Sequence, residues 1–209
     1  MRRPSNPLAL AVLVLLFERP MHPYEMSSTL RFRRKDESIK INYGSLYAVV
    51  ESLEKKGLVE ATERVREGRR PERTVYTLTA VGEAAMHEWL GQLIAQPTNQ
   101  YTDFEAALSL MPALLPETAR SLLAARLEAL IDDDRAYHQS RAAIRSFPRL
   151  LTIEGEYQAV LRQAEIEFVR ELLRELDEGS FDGLAGWRRF HELRLAGRSA
   201  EFTEELFTT

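Results

Sequence analysis

The chain of 209 residues contains no cysteine. This absence excludes disulfides, thiolate metal sites and cysteine nucleophiles, and it is consistent with the reducing cytoplasm, where we expect the protein to work. The four histidines are scattered without a second metal ligand at the spacing of H-E-x-x-H, and no glycine-rich phosphate loop occurs. These absences predict a protein that is not an enzyme and that holds no metal or cofactor.

A long hydrophobic run is also lacking. The segment 8–17 is apolar over ten residues and follows Arg2 and Arg3, but it is too short to span a bilayer. The residues after it, 18–23, offer no small-residue cleavage site, so a secretory signal is disfavoured. The segment is interpreted as a central helix, apolar on nearly all sides, and no membrane association is expected.

The charge is divided unevenly along the chain. The net charge of −4 would by itself argue against DNA binding. Residues 1–80, however, contain 15 Lys and Arg against 10 Asp and Glu, a net of +5, whereas the remaining 13 basic and 22 acidic residues give −9. A cationic half attracts phosphate and an acidic half keeps the protein soluble, so this division predicts nucleic-acid binding by the N-terminal part.

A helix followed by a hairpin is predicted between residues 39 and 79. Asn42 can cap the helix and Gly57 can end it. Residues 58–62 and 74–78 have the pattern of two strands, joined by a basic loop. Such a winged helix places a helix in the DNA major groove and its wing on the neighbouring backbone. The buried face of the helix is predicted to consist of Leu46, Val49, Val50 and Leu53.

This stretch resembles the PadR family of bacterial transcriptional regulators. The resemblance rests on the runs NYGSLYAVVESLEKKGLV and EGRRPERTVYTLTAVG, and on HPYEM at residues 22–26. It is close over roughly residues 8–90, and beyond them it is a likeness of pattern. The resemblance implies a dimeric, usually repressing DNA-binding protein whose C-terminal helices dimerise and whose effector varies between members.

Prolines and glycines divide the rest of the chain into helices. Helices are predicted at about 8–18, 23–33, 80–96, 116–147 and 152–178. The predicted fold is mainly α. Residues 1–96 form a winged helix–turn–helix with a two-stranded wing and a linking helix, and residues 97–209 form a helical, coiled-coil-like dimerisation domain. Residues 180–209 are not assigned. Inward contacts from the second helix are expected from Tyr24, Met26, Ser27 and Leu30.

Candidate DNA contacts fall on the second helix, the third helix and the wing. Ser45 lies in the first turn of the third helix, where its hydroxyl can contact DNA or cap the helix, and both interpretations stay open. Tyr47 can direct its hydroxyl to phosphate or pack as a half-buried ring. Capping is favoured over adenine recognition for Asn42. The full set is Tyr24, Arg31, Arg33, Lys40, Asn42, Tyr43, Gly44, Ser45, Tyr47, Arg69, Arg70 and Arg73.

The C-terminal half carries candidates for dimerisation and for an effector site. The apolar surface of the helix at 152–178 is wide enough for partners on two sides, either within the chain or, as the resemblance supports, in a dimer. The predicted dimer contacts are Leu161, Phe168, Leu172 and Leu176. An effector pocket would be lined by the aromatic residues Trp89, Tyr101, Phe104 and Tyr137, each of which can equally belong to the core.

The sequence therefore predicts a homodimeric repressor that binds a palindromic operator in double-stranded DNA and responds to a small-molecule effector. Two alternatives stay open. One is a protein-interaction adaptor that has kept the winged helix without its DNA function. The other is a small-molecule sensor whose main partner is another protein.

Overall fold

The computed structural model describes residues 6–65, 73–143, 148–198 and 206. The chain divides into two compact units, Met1–Asn99 and Gln100–Thr209. The first contains α1 (Pro7–Glu18), α2 (Pro23–Phe32), α3 (Tyr43–Lys55), β1 (Val59–Val65), β2 (Arg73–Leu78) and α4 (Ala80–Ala95). The second contains α5 (Asp103–Leu110), α6 (Pro116–Ala143), α7 (Ile153–Glu178) and α8 (Leu184–Leu195). Short 3-10 turns occur at Lys35–Glu37, Met111–Ala113 and Arg149–Leu151. The predicted fold class, mainly α with a two-stranded wing, is confirmed.

Helix α1 lies at the centre of the first unit's core. Its apolar side chains surround it instead of forming one stripe, so it can pack against α3, α4 and β2 together. Asn6 caps its first turn by accepting a hydrogen bond from the Leu8 amide at 3.0 Å. The predicted central helix is therefore present, and the helices around it are oriented by contact with it. Its buried residues are Leu8, Ala9, Leu10, Val12, Leu13, Leu15 and Leu16.

Helix α3 begins and ends at the predicted residues. The side chain of Asn42 accepts a hydrogen bond from the Gly44 amide at 2.9 Å. Gly57 follows the helix at φ +68°, a left-handed conformation that favours glycine. The predicted apolar stripe is buried in the core of the first unit: Leu46, Val49, Val50 and Leu53.

The wing is longer than the sequence predicted. Strands β1 and β2 pair antiparallel from Val59 opposite Leu78 to Val65 opposite Arg73, with a register shift between Ala61 and Glu63. Strand β2 is also paired on its other side, since the backbones of Met21 and Tyr76 exchange hydrogen bonds of 3.1 and 3.0 Å. This second pairing attaches the connection between α1 and α2 to the base of the wing.

The prediction for the inward face of α2 was wrong for one residue. Met26, Ser27 and Leu30 are buried as expected, but Tyr24 is 58% exposed. Pro23 is buried at the first helical position, and the ring of Tyr24, one residue later, points to solvent. The cap of α2 was not foreseen either, because His22 Nδ1 accepts a hydrogen bond from the Tyr24 amide at 3.1 Å.

The second unit is built on the long helices α6 and α7. Arg120 pairs with Asp177, and Arg141, later in α6, pairs with Glu156 near the start of α7. This order shows that the two helices run antiparallel. Two of the four predicted dimer contacts, Leu172 and Leu176, are buried in this unit's own core. They share this buried cluster with Leu184 and Trp187 of α8, a helix that the sequence analysis did not assign, so in this chain they are core residues and not exposed contacts.

Helix α8 is fixed to the turn between α5 and α6. The indole Nε1 of Trp187 donates to the carbonyls of Pro112 at 3.1 Å and Leu114 at 2.7 Å. His191 Nε2 lies 3.0 Å from the same Pro112 carbonyl. Helix α5 was also not predicted; the Thr102 hydroxyl caps it by accepting from the Glu105 amide at 3.1 Å. In the part of the chain that the structure describes, no helix combines the length and apolarity that membrane crossing requires.

Substitution of Gly82 by alanine should destabilise the first unit. A Cβ atom there would lie 1.9 Å from the backbone carbonyl oxygen of Leu58, so α4 would have to move away from the end of α3 and the start of β1. We expect the free energy of unfolding to fall by about 2 kcal/mol or more, measured by chemical denaturation.

Gly91→Ala, in the same helix, is the matched control. No atom lies within 4 Å of the Cβ position at Gly91, so the better helix propensity of alanine should stabilise the protein by about 1 kcal/mol. Equal losses of stability in both variants would contradict the close approach of α4 to Leu58.

Candidate nucleic-acid interface

The N-terminal end of α3 has exposed residues on either side of the buried stripe. Gly44, Ser45 and Tyr47 are all exposed there. The first turn of a helix also presents backbone N–H groups and the positive end of the helix dipole, both of which favour phosphate. Asn42 satisfies one of these N–H groups, that of Gly44. This surface combines hydroxyl donors with a cationic environment and has the chemistry to contact a nucleic-acid backbone or base edge.

The predicted cations near this end differ in their surroundings. Lys40, two residues before the Asn42 cap, is exposed, and so is Arg31 near the end of α2. Arg33 instead makes a bidentate ion pair with Glu18 at the end of α1, with Nη2 2.7 Å from Oε2. These hydrogen bonds hold the pKa of Glu18 below its usual value, because they stabilise the charged carboxylate. Arg33 would have to leave Glu18 before it could bind a phosphate.

Several predicted contacts cannot be located by their side chains. Arg69 and Arg70 lie outside the described residues. Arg73 begins β2 and Tyr43 begins α3, and their side chains also lie outside the described part. What the structure does show is that the strands leading to the basic loop are paired from Val59 to Val65.

The four predicted effector residues have different surroundings within their own units. Trp89 packs in the core of the first unit, and Tyr101 of the second unit is 87% exposed. The ring of Tyr137 lies between guanidinium groups, with Arg162 5.3 Å from its centroid and Arg141 donating to its hydroxyl at 2.7 Å. Of the four, only Phe104 lines a groove of about 570 Å³ in the second unit. A pocket shared by all four aromatic residues therefore stays a prediction.

Helix α7 presents an apolar stripe that its own unit leaves exposed. Leu161 and Phe168, two predicted dimer contacts, are each 51% exposed. Tyr157 and Val160 continue the stripe toward the start of the helix and are also exposed. The sequence analysis missed these two residues, although Tyr157 lies four residues before Leu161 and Val160 lies four residues before Ala164, spacings that place side chains on the same face.

The acidic run at residues 132–134 serves ion pairing. Asp132 pairs with Arg135, and Asp134 lies between Arg162 and His138. Among the residues that the structure describes, no group of three or more His, Asp or Glu side chains is placed to hold a metal ion.

Comparison with known proteins gives one family and a shared fold. Residues 12–88 match the transcriptional regulator PadR-like family, whereas no curated protein matches the chain. The chain is similar to Bacillus subtilis PadR in complex with operator DNA, with 18% identity, TM-score 0.65, and coverage of 82% of this chain and 99% of that one.

Two further structures have the same fold. The Vibrio cholerae virulence activator AphA has 23% identity and TM-score 0.62, with coverage of 82% of this chain and 98% of that one. B. subtilis PadR in complex with p-coumaric acid has 16% identity and TM-score 0.65, with coverage of 81% and 98%.

Variants of Asn42 can separate capping from DNA recognition. Asn42→Ala removes the acceptor for the Gly44 amide and should lower the free energy of unfolding by about 1 kcal/mol. Asn42→Ser keeps an acceptor but loses the amide that could pair with adenine. We expect Asn42→Ser to retain both stability in denaturation and affinity for operator DNA. Normal stability with a large loss of affinity would assign Asn42 to base recognition.

Proposed function

We propose that the chain, whose residues 12–88 match the PadR-like family of transcriptional regulators, is a sequence-specific DNA-binding repressor that acts as a homodimer on a palindromic operator. The family consists of regulators and not of enzymes. The observation that carries the proposal is the exposed N-terminal end of α3, a helix whose apolar stripe is buried in the core and which a paired wing follows in the chain. The cytoplasm is the proposed compartment.

The proposed DNA contacts follow from the geometry of α3. Helix α3 enters the major groove by its N-terminal end, where Ser45 and Tyr47 are exposed. Gly44 has no side chain to hold this end away from the duplex. The basic loop of the wing contacts the neighbouring phosphates or the minor groove and adds affinity more than specificity. The supporting contacts we propose are Tyr24, Arg31, Lys40, Tyr43, Arg69, Arg70 and Arg73.

A second copy of the chain is the partner proposed for the exposed stripe of α7. Four large apolar side chains on one helical face, each half exposed or more, would be costly to leave in water. The stripe consists of Tyr157, Val160, Leu161 and Phe168. In such a dimer we expect the two α3 helices to enter major grooves about 34–36 Å apart, or a multiple of that distance.

Control by a small molecule completes the proposal. B. subtilis PadR, which shares the fold, has been crystallised with p-coumaric acid. A ligand of the present protein would act by binding one separation of the two DNA-binding heads better than the other, since equal affinity for both would shift nothing.

Removal of the wing cations distinguishes the repressor from the adaptor and sensor alternatives. Arg69→Ala with Arg70→Ala should weaken binding to all DNA sequences. It should also make the slope of log K against log salt less negative by about 0.9 for each lost phosphate contact. Fluorescence anisotropy with a fragment of the upstream region measures both effects.

The matched control removes the same charge from the C-terminal end of α3. Lys55→Ala with Lys56→Ala should leave the salt slope nearly unchanged, since both side chains are exposed at the C-terminal end of the helix. Binding of the wild-type protein to no upstream fragment, even at low salt, would favour the adaptor or sensor.

The dimer stripe can be tested by a charge at its centre. Leu161→Arg should shift the protein from dimer to monomer in sedimentation equilibrium and lower operator affinity, because a buried unpaired guanidinium is strongly unfavourable at an apolar interface. Leu195→Arg is the control, since Leu195 is 84% exposed on α8 and lies outside the stripe. A dimer that persists in Leu161→Arg would place the interface elsewhere.

A further inference from the structure

The second unit contains an open groove that α5 forms with α6 and α7. Its volume is about 570 Å³, which is large enough for a molecule of drug size. Phe104 and Leu108 of α5 provide one apolar side, and Phe168 of α7 provides another. The apolar surface is therefore accessible and has a definite shape.

The charged residues of this groove are mostly acidic. Asp103, Glu105 and Glu165 line it together with one cation, Arg126. Arg126 is already paired, since its Nε donates to Glu165 Oε1 at 2.6 Å. The pair leaves the carboxylates of Asp103 and Glu105 uncompensated by any other cation among the described lining residues. A bound carboxylate would face these negative charges, whereas a bound cation would be attracted.

The groove already holds one planar cation of its own. The guanidinium of Arg126 lies 3.7 Å from the centroid of the Phe104 ring while it binds Glu165. The negative face of an aromatic ring and a carboxylate together stabilise a partly desolvated cation. The contact shows that this surface accommodates a cation between an aromatic ring and a carboxylate.

The two acidic residues of α5 have a local structural role as well. Both lie in its first turn, where negative charge is favourable at the positive end of the helix dipole. That end carries the equivalent of about half a positive charge, so two carboxylates exceed what it can balance. The remaining negative potential is directed at the groove that they line.

We propose that this groove binds a hydrophobic organic cation, with its apolar body against Phe104, Leu108 and Phe168 and its charge toward Asp103 and Glu105. As the effector site of a regulator, the groove rests on the proposed function. Phe168 also ends the proposed dimer stripe, so a ligand here would contact the surface that sets the separation of the DNA-binding heads. The site would discriminate against aromatic carboxylates such as p-coumaric acid.

Two probes of the same shape and opposite charge test this selectivity. Tetraphenylphosphonium and tetraphenylborate are titrated into the full-length protein by isothermal titration calorimetry. We expect the phosphonium to bind at least ten times more tightly than the borate. The double variant Asp103→Asn with Glu105→Gln should weaken phosphonium binding by about tenfold and should not weaken borate binding. Circular dichroism checks that α5, still capped by Thr102, remains folded.

The control variant is Asp133→Asn with Asp182→Asn. It removes the same charge from exposed positions of the second unit that do not line the groove, and phosphonium affinity should change by less than twofold. Equal affinity for the two probes, or an equal loss in the control variant, would overturn the proposal. Anisotropy with upstream DNA is measured on the same samples. Failure to bind DNA would refute only the proposed function. Equal affinity for the two probes in a protein that still binds DNA would refute only the proposed groove.

Discussion

Burial of α1 on nearly all sides is the constraint on which the first unit depends. Because seven of its residues are buried, α1 cannot move without losing apolar contacts with α3, α4 and β2 together. The stripe of α3 from Leu46 to Leu53 packs on this core, so the remaining surface of α3 faces solvent in one orientation. The exposed position of Ser45 and Tyr47 is thus a consequence of the packing of the neighbouring stripe.

The wing is held to the same core by backbone pairing. Strand β2 bonds to β1 on one side and to Met21 on the other. The Thr79 hydroxyl continues this connection by donating to the Gly57 carbonyl at 2.7 Å, while it also accepts from the Gly82 amide at the start of α4. The end of α3, the wing and α4 are therefore tied through one residue.

Sequence reasoning succeeded where the determinants are local. Asn42 and Gly57 lie at the two ends of α3, and the stripe between them follows helical periodicity, so all three could be predicted from neighbouring residues. Helix α8 could not be positioned in this way, because Trp187 binds carbonyls 73 and 75 residues earlier in the chain. The same long-range packing explains why Leu172 and Leu176 proved to be core residues. For the arginines near α3, the sequence could not reveal that Glu18 already pairs with Arg33.

The two parts of the sequence have net charges of opposite sign. An excess of cations in residues 1–80 suits a polyanion, and an excess of carboxylates in the remainder disfavours the same polyanion there. The groove of α5 is also acidic, since the one guanidinium among its described lining residues is bound by Glu165. A hydrophobic cation is not expected to compete with DNA for the cationic N-terminal part of the chain, because like charges repel. In the proposed regulator, effector and operator would therefore bind without direct competition, and control would have to pass through the geometry of the proposed dimer.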